Sequence, residues 1–256
     1  MKRSDCSKPG YRREKRGKGF VYVAPDGKPL KDPLALDRIN ALVIPPAWTE
    51  VWICPYENGH LQAVGVDAAG RKQYLYHLRW RERQDAEKFD RMLDFARALP
   101  RIRMTTAGHL ALPGMPAERA LACSVRLLDR GFFRVGGEAY ARDNGTVGLA
   151  TIRKEHVRFE GKEIVFEYLA KGGQERVQSV VDPEVHDAVR ALKRRRGGGP
   201  ELLAYNAAGA WRDVKSSDIN NYIKDAGGGE YSAKDFRTWH ATVLAAVALG
   251  VSFEAS

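Results

Sequence analysis

Three short segments carry cations suited to chemistry on a phosphodiester: Phe132-Phe-Arg134-Val-Gly-Gly-Glu, Tyr168-Leu-Ala-Lys171-Gly-Gly and Lys234-Asp-Phe-Arg237-Thr-Trp. Cutting such an ester by attack of a side-chain hydroxyl on phosphorus, through a covalent ester, has three needs. Charge growing on the non-bridging oxygens calls for guanidinium forks, because arginine stays protonated and engages two oxygens at once. The departing sugar oxygen calls for an acid, and a lysine among other cations on a hairpin tip can reach it and give up a proton. The third need is the nucleophile itself.

The composition agrees with a polyanionic partner. The 256 residues carry 42 Lys plus Arg against 32 Asp plus Glu, a formal net charge of +10, and a polyanion is the expected partner. Residues 1–18 hold eight basic and two acidic side chains and read as a solvated basic arm. Other chemistries lack their signatures. The six histidines form no close ligand pair, and Cys6, Cys54 and Cys123 are too few and too scattered for a disulfide framework or a cysteine metal site. Neither a phosphate-binding GxxxxGK[ST] loop nor a GxGxxG turn is present. No metal or cofactor is therefore expected. The longest apolar stretch, residues 241–251, is shorter than the roughly 20 residues a membrane-spanning helix requires. The N-terminus lacks the apolar core of a secretory signal, which predicts a cytoplasmic protein.

Stepping outward to the elements, Phe20 to Val23, Val51 to Cys54, Leu61 to Val66 and Gln73 to Tyr76 are β-branched or aromatic runs separated by turn signals. They predict a small antiparallel sheet. Beyond Arg83 the apolar period becomes helical, through Phe89, Met92, Phe95 and Leu99, with Pro100 expected to end that helix. A second helix is expected from Pro116 to Arg130, with Gly131 as its left-handed cap. Residues 147–151, 156–159, 164–169 and 176–181 predict a meander of three or four strands, with Lys171-Gly-Gly at one of its turns. Asp182-Pro183 opens a further helix, residues 217–226 another, and Ser232-Ala-Lys-Asp a last one as a capping-box variant. The fold class is thus α+β: a basic arm over 1–18, a sheet domain over 19–82, and a mainly helical domain with a β meander over 83–256.

The three cationic segments resemble the Arg, Lys and KxxR boxes of the type IB DNA topoisomerase family, in its compact poxvirus-like and bacterial form. Pro45-Pro-Ala-Trp-Thr-Glu-Val-Trp-Ile, Asp67-Ala-Ala-Gly-Arg-Lys-Gln-Tyr-Leu-Tyr-His and Asn144-Gly-Thr-Val-Gly-Leu-Ala-Thr-Ile are similar to segments of that family, in its order. The resemblance implies a monomeric clamp on duplex DNA that relaxes supercoils through a transient 3′-phosphotyrosyl bond, without ATP or a metal. It implies that Arg134 and Arg237 hold the scissile phosphate, that Lys171 protonates the leaving 5′ oxygen, and that Lys234 supports Arg237. It further implies that Gln73, Tyr74 and Tyr76, beside Arg71 and Lys72, meet the major groove.

One departure matters. In this family a histidine and then the nucleophilic tyrosine follow the KxxR arginine by several tens of residues, whereas only 19 residues follow Arg237 here, none of them tyrosine. Tyr222 and Tyr231 precede Arg237 and match no nucleophile box. The expectation is a chain truncated before its nucleophile, which binds DNA without cutting it. A tyrosine recombinase is the enzymatic alternative, although its usual box would place histidine at Lys234. A non-catalytic DNA-binding module is the other. Taken singly, Lys171 reads as an ordinary hairpin-tip charge, Tyr74 and Tyr76 as core aromatics, and Lys193 to Arg196 as a solvated helix end.

Overall fold

The structure, a computed structural model, describes residues 1–138, 141–142 and 145–254 and divides into two compact units, residues 1–89 and 90–256. In the first unit the alternating runs form strands β1 (Tyr11–Arg16), β2 (Gly19–Val23), β3 (Thr49–Ile53), β4 (Leu61–Val66) and β5 (Lys72–Tyr76). All neighbouring pairs are antiparallel, in the order β2-β1-β3-β4-β5. Helix α1 (Pro33–Ala41) starts at Asp32, whose carboxylate accepts a hydrogen bond from the Leu34 amide at 3.0 Å, with Pro33 in the first turn. Ile39 of α1 packs with Ile44, Val51, Ile53 and Ala63 into the unit's core.

The expected basic arm is only partly an arm. Residues 11–16 are strand β1, because Arg13 is buried and its guanidinium donates to the carbonyls of Ile44 at 2.9 Å, Pro45 at 2.9 Å and Trp48 at 2.8 Å. A cation that satisfies three carbonyls, one of them fully buried, is a structural pin, indistinguishable in sequence from its solvated neighbours.

The long helix α2 (Leu78–Leu110) carries the chain across the unit boundary at Phe89/Asp90, later in sequence than the expected division before residue 83. Pro100 does not end it. Met92, Phe95 and Leu99 before the proline and Ile102, Thr106 and Leu110 after it are all buried. That burial offsets the roughly 3 kcal/mol an internal proline costs.

In the second unit α3 (Ala117–Gly131) is the central helix, packed by α4 (Pro183–Arg194), α5 (Ser216–Gly227), α6 (Ala233–Glu254) and strands β8 (Gln174–Val181) and β9 (Ala204–Ala207). Its left-handed cap is Phe132, φ 58°, and not Gly131. Gly131 is required for space, since a Cβ there would lie 2.3 Å from the Phe133 ring. The meander has three strands, β6 (Val157–Glu160), β7 (Glu163–Ala170) and β8. The strand expected over 147–151 is instead a 3₁₀ turn at Leu149–Thr151. A two-stranded hairpin of β9 and β10 (Ala210–Asp213) was not expected from the sequence. The aromatic core joins Phe95, Phe133, Phe166 and Phe236, all fully buried.

The expected N-terminal caps form. Asp182 accepts from the Val185 amide at 3.1 Å, and the Asp235 carboxylate accepts from both the Ser232 amide and hydroxyl at 2.8 Å. The basic end of α4 is not merely solvated. Lys193 donates to the carbonyls of Lys154 and Val157, and the buried Arg195 to those of Leu192, Gly199, Glu201 and Leu202. These cations satisfy carbonyls at a helix end and loop that would otherwise be orphaned. Among the described residues no helix is long and apolar enough to cross a membrane.

Candidate functional site

Four cations predicted from the sequence converge in the second unit. Arg134, Lys171, Lys234 and Arg237 line one hollow of about 300 Å³, together with the glycine-rich backbone at Gly136, Gly137 and Gly148.

Each cation is placed by a different device. The left-handed Phe132 turns the chain off α3, and the buried Phe133 anchors the next residue edge-to-face on Phe166, centroids 4.9 Å apart. Arg134, next in line, is exposed. Its carbonyl accepts from the Leu149 amide and that of Val135 from the Ala150 amide, each at 2.8 Å. The two backbone segments touch at glycines: a Cβ on Gly136, φ 73°, would meet Gly148 Cα at 2.7 Å. The Val147 amide donates in turn to the Leu169 carbonyl at 2.8 Å, tying this segment to β7. Beyond Leu169 the chain reverses at Lys171 through Gly172, φ 85°, and Gly173, φ 72°, a left-handed pair that favours glycine.

Lys234 and Arg237 lie one turn apart at the start of α6. That start is fixed by the Ser232 and Asp235 cap, by Asn220, whose side-chain carbonyl accepts from the Ala233 amide at 3.0 Å, and by Arg91, which donates to Asp235 at 3.2 Å. Phe236 buries its ring against Phe95, centroids 5.0 Å apart. Burial, followed by the fields of Arg134 and Arg176, lowers the Arg237 pKa. An arginine keeps its proton all the same, so the hollow presents concentrated positive charge to whatever enters it.

Arg176 escaped the sequence reading. It lies on β8 opposite Tyr168 and lines a smaller hollow of about 70 Å³ with Arg134, Arg237, Tyr168 and Gln178. The only signal was a basic residue on the strand returning from the Lys171 turn, and an exposed strand arginine is too common to single out.

The tyrosines weighed as substitute nucleophiles are structural. Tyr222 is buried, its hydroxyl 2.8 Å from His109 Nδ1, and burial pushes its pKa up to about 12. Tyr231 packs edge-to-face on Phe95 and donates to the Asp94 carbonyl at 3.2 Å. A phenol held in this way is a poor nucleophile.

In the first unit, β5 is the edge strand of the sheet. Lys72, Tyr74 and Tyr76 share its exposed face, and the two tyrosine rings stack 6.2 Å apart at 21°. Gln73 lies on the opposite face. It donates to Asp67 at 2.9 Å, as does Arg71 Nε, and Arg71 Nη2 lies 2.8 Å from the same carboxylate. The Arg71 hydrogen bonds hold the Asp67 carboxyl well below its usual range. Of the five residues expected to meet DNA, three therefore form an open aromatic and cationic face, while Arg71 and Gln73 also brace the turn. Asn144, which opens one of the recognised segments, lies outside the described residues.

A sheet unit is followed by a helical unit that gathers cations from three separate segments into one hollow, an arrangement suited to an anionic group. The chain belongs to the type IB DNA topoisomerase family. Residues 77–254 match the family described as "Eukaryotic DNA topoisomerase I, catalytic core", and residues 19–67 match "Bacterial DNA topoisomerase IB, N-terminal domain". The chain is similar to DNA topoisomerase 1B of Acanthamoeba polyphaga mimivirus, 31% identical over 239 residues that cover 91% of this chain and 70% of the viral protein. It is also similar to DNA topoisomerase 1B of Vaccinia virus, 26% identical over 54% of this chain and 45% of that protein. With DNA topoisomerase 1 of Schizosaccharomyces pombe it shares 28% identity over 50% of this chain and 15% of the yeast protein. The chain thus spans less than half of the vaccinia relative. The recombinase alternative gives way to these matches.

Proposed function

We propose that these 256 residues are the DNA-clamping and phosphate-holding core of an enzyme that relaxes supercoiled duplex DNA through a transient 3′-phosphotyrosyl bond, without ATP. The convergence of Arg134, Lys171, Lys234 and Arg237 on one hollow carries this reading.

In the proposed mechanism the guanidinium groups of Arg134 and Arg237 engage the non-bridging oxygens of the scissile phosphate. Their charge meets the negative charge that builds up as the tyrosyl oxygen bonds to phosphorus. Lys171, on its glycine hinge, gives its proton to the departing 5′ oxygen and takes it back on religation. Lys234, one helical turn from Arg237, adds positive field. In the sheet unit, Lys72, Tyr74 and Tyr76 engage the duplex, with Arg71 and Gln73 at the margin of that face. The helical unit is the catalytic domain and the sheet unit the clamp domain. The protein works as a monomer on cytoplasmic DNA.

No tyrosine follows Arg237 in these residues, and Tyr222 and Tyr231 serve the core. The chain therefore binds duplex DNA, with strong salt dependence, and does not cleave it. The test is fluorescence anisotropy on a labelled duplex over a range of KCl concentrations, run beside plasmid relaxation in EDTA. Tight low-salt binding with no relaxation and no covalent adduct is expected. Absence of binding would remove the clamp reading, and relaxation or an adduct would show that another residue acts as nucleophile.

A further inference from the structure

We propose that Arg176 is a third phosphate-binding guanidinium of this site, engaging the DNA backbone phosphate next to the one held by Arg134 and Arg237. The proposal rests on the clamp reading above and adds to it a contact on the flanking backbone.

The strand register fixes where Arg176 lies. β7 and β8 pair Ala170 with Gln174, Leu169 with Glu175 and Tyr168 with Arg176. Arg176 is thus fixed to the same hairpin that carries Lys171, two pairs back from its turn. Tyr168 is in turn held from below. Its ring stacks on Phe133 at 6.2 Å and 16°, and its hydroxyl donates to Gln178 at 2.5 Å. Gln178 donates onward to the Gly131 carbonyl at 2.5 Å. The floor under Arg176 is therefore a braced one, continuous with the end of α3 from which Arg134 emerges.

The second step is charge. Several other arginines of this unit meet carboxylates, among them Arg103 with Asp129, Arg126 with Asp182 and Glu184, and Arg91 with Asp235. Among the described residues, Arg134, Arg176 and Arg237 have neither an ion pair nor a side-chain hydrogen bond, yet all three line the same hollow of about 70 Å³. Burial, and after it the fields of Arg134 and Arg176, lowers the Arg237 pKa. Like charges gathered without a counter-charge cost stability and are relieved by an anion. Among the described residues the fold supplies none, and a phosphodiester backbone supplies a row of them.

The third step is position. Arg176 does not line the larger hollow, where Lys171 and Lys234 sit, whereas Arg134 and Arg237 line both. One phosphate cannot occupy both hollows. With the scissile group in the larger one, beside its lysine acid, the smaller hollow takes the next phosphate along the strand, held on one side by Arg176.

The test uses the 256-residue chain, a labelled duplex, and the Arg176→Ala and Arg176→Lys variants. The slope of log affinity against log salt is measured for each, together with the Tm in the absence of DNA. A lost phosphate contact lowers the magnitude of the slope by about 0.9. Arg176→Ala is expected to show that loss and Arg176→Lys to recover most of it. The Tm of Arg176→Ala without DNA is expected to equal or exceed wild type, because one of three repelling cations is gone, whereas loss of a structural residue would lower it. An unchanged slope in Arg176→Ala, with wild type binding normally, overturns this proposal alone. A lowered Tm with unchanged slope does the same and marks Arg176 as structural. Failure of the wild-type chain to bind duplex overturns the clamp reading and this proposal with it.

Discussion

Asp129 on α3 accepts two hydrogen bonds from the Arg103 guanidinium on α2, each 2.9 Å, and the same carboxylate lies 3.8 Å from His240 on α6. One buried acid, its side chain 3% exposed, thereby joins three helices. It stands five residues before Arg134 and its histidine partner three residues after Arg237. Arg134 and Arg237, the two arginines of the proposed phosphate site, thus hang from helices that share a single ionic pin. Removing the carboxylate leaves Arg103 and His240 facing an empty acceptor site. Loss of one partner of a fully buried pair costs about 3–5 kcal/mol, and Arg103 is half exposed, so about 2–3 kcal/mol is expected for Asp129→Ala. Urea denaturation of variant and wild type measures it.

The same carboxylate predicts an acid limit. Burial would raise the Asp129 pKa, but the neighbouring His240 ring and the two Arg103 hydrogen bonds outweigh it, and the value falls from 3.8 to about 2. A group whose folded pKa is depressed stabilises the fold fully above its unfolded pKa and loses that contribution as pH falls through the folded one. The contribution, about 2 kcal/mol before solvent screening at Arg103 trims it, is therefore present above about pH 4 and lost between about pH 4 and 2. Denaturation midpoints across that window should fall more steeply for wild type than for Asp129→Ala. Parallel curves would show that the pin contributes nothing.

The close approach of Gly136 and Gly148 gives a prediction about backbone. With φ 73° and Gly148 Cα only 2.7 Å from the site of a new Cβ, Gly136→Ala must both strain its dihedral and push the two segments apart. A non-glycine residue in that region costs about 1–3 kcal/mol, before the steric clash is counted. Thermal denaturation is expected to show at least that loss. Gly137, with φ in the ordinary range and open space around its Cβ position, is the matched control, and Gly137→Ala should be nearly silent.

What the sequence disclosed and what it concealed follow a physical division. The resemblance singled out Lys171, Lys234, Arg134 and Arg237, and what the local sequence made legible was their placement, in a glycine turn, at a capped helix start, or on a glycine-rich exit from a helix. Asp182 and Ser232 likewise announced caps that formed. Residues whose role depends on a distant partner were hidden. Arg13 looked like one charge in a basic run until its carbonyl partners, more than thirty residues away, came into place. Asp129 and Arg176 carried no local signal for the same reason. Pro100 misled because tertiary burial on both sides outweighed its local cost. Asp32-Pro33 carried the same start signal as Asp182-Pro183 and could have disclosed α1.

Arg237 should separate binding from chemistry. Its fork acts on charge that appears only as phosphorus is attacked, so its loss weakens the transition state more than the ground state. In a chain extended to carry a nucleophilic tyrosine, Arg237→Ala is expected to slow single-turnover cleavage by about 10²- to 10³-fold, with duplex affinity little changed. A parallel drop in affinity and rate would instead make Arg237 a simple binding contact. Unchanged cleavage would remove it from the mechanism.

Tyr222 tests the claim that the internal tyrosines belong to the core. Its hydroxyl pairs with His109 on α2 while its ring packs edge-to-face on that histidine, centroids 5.6 Å apart. Tyr222→Phe keeps the ring and loses only the hydrogen bond, which is worth about 1 kcal/mol. The expected result is a small loss of stability with duplex affinity and its salt slope intact. Were Tyr222 a cryptic nucleophile, the wild-type chain would form a covalent adduct on a suicide duplex and Tyr222→Phe would abolish it. Its buried phenol, with a pKa pushed up to about 12, argues that no such adduct forms, and denaturing gel electrophoresis after incubation with labelled duplex decides between the two.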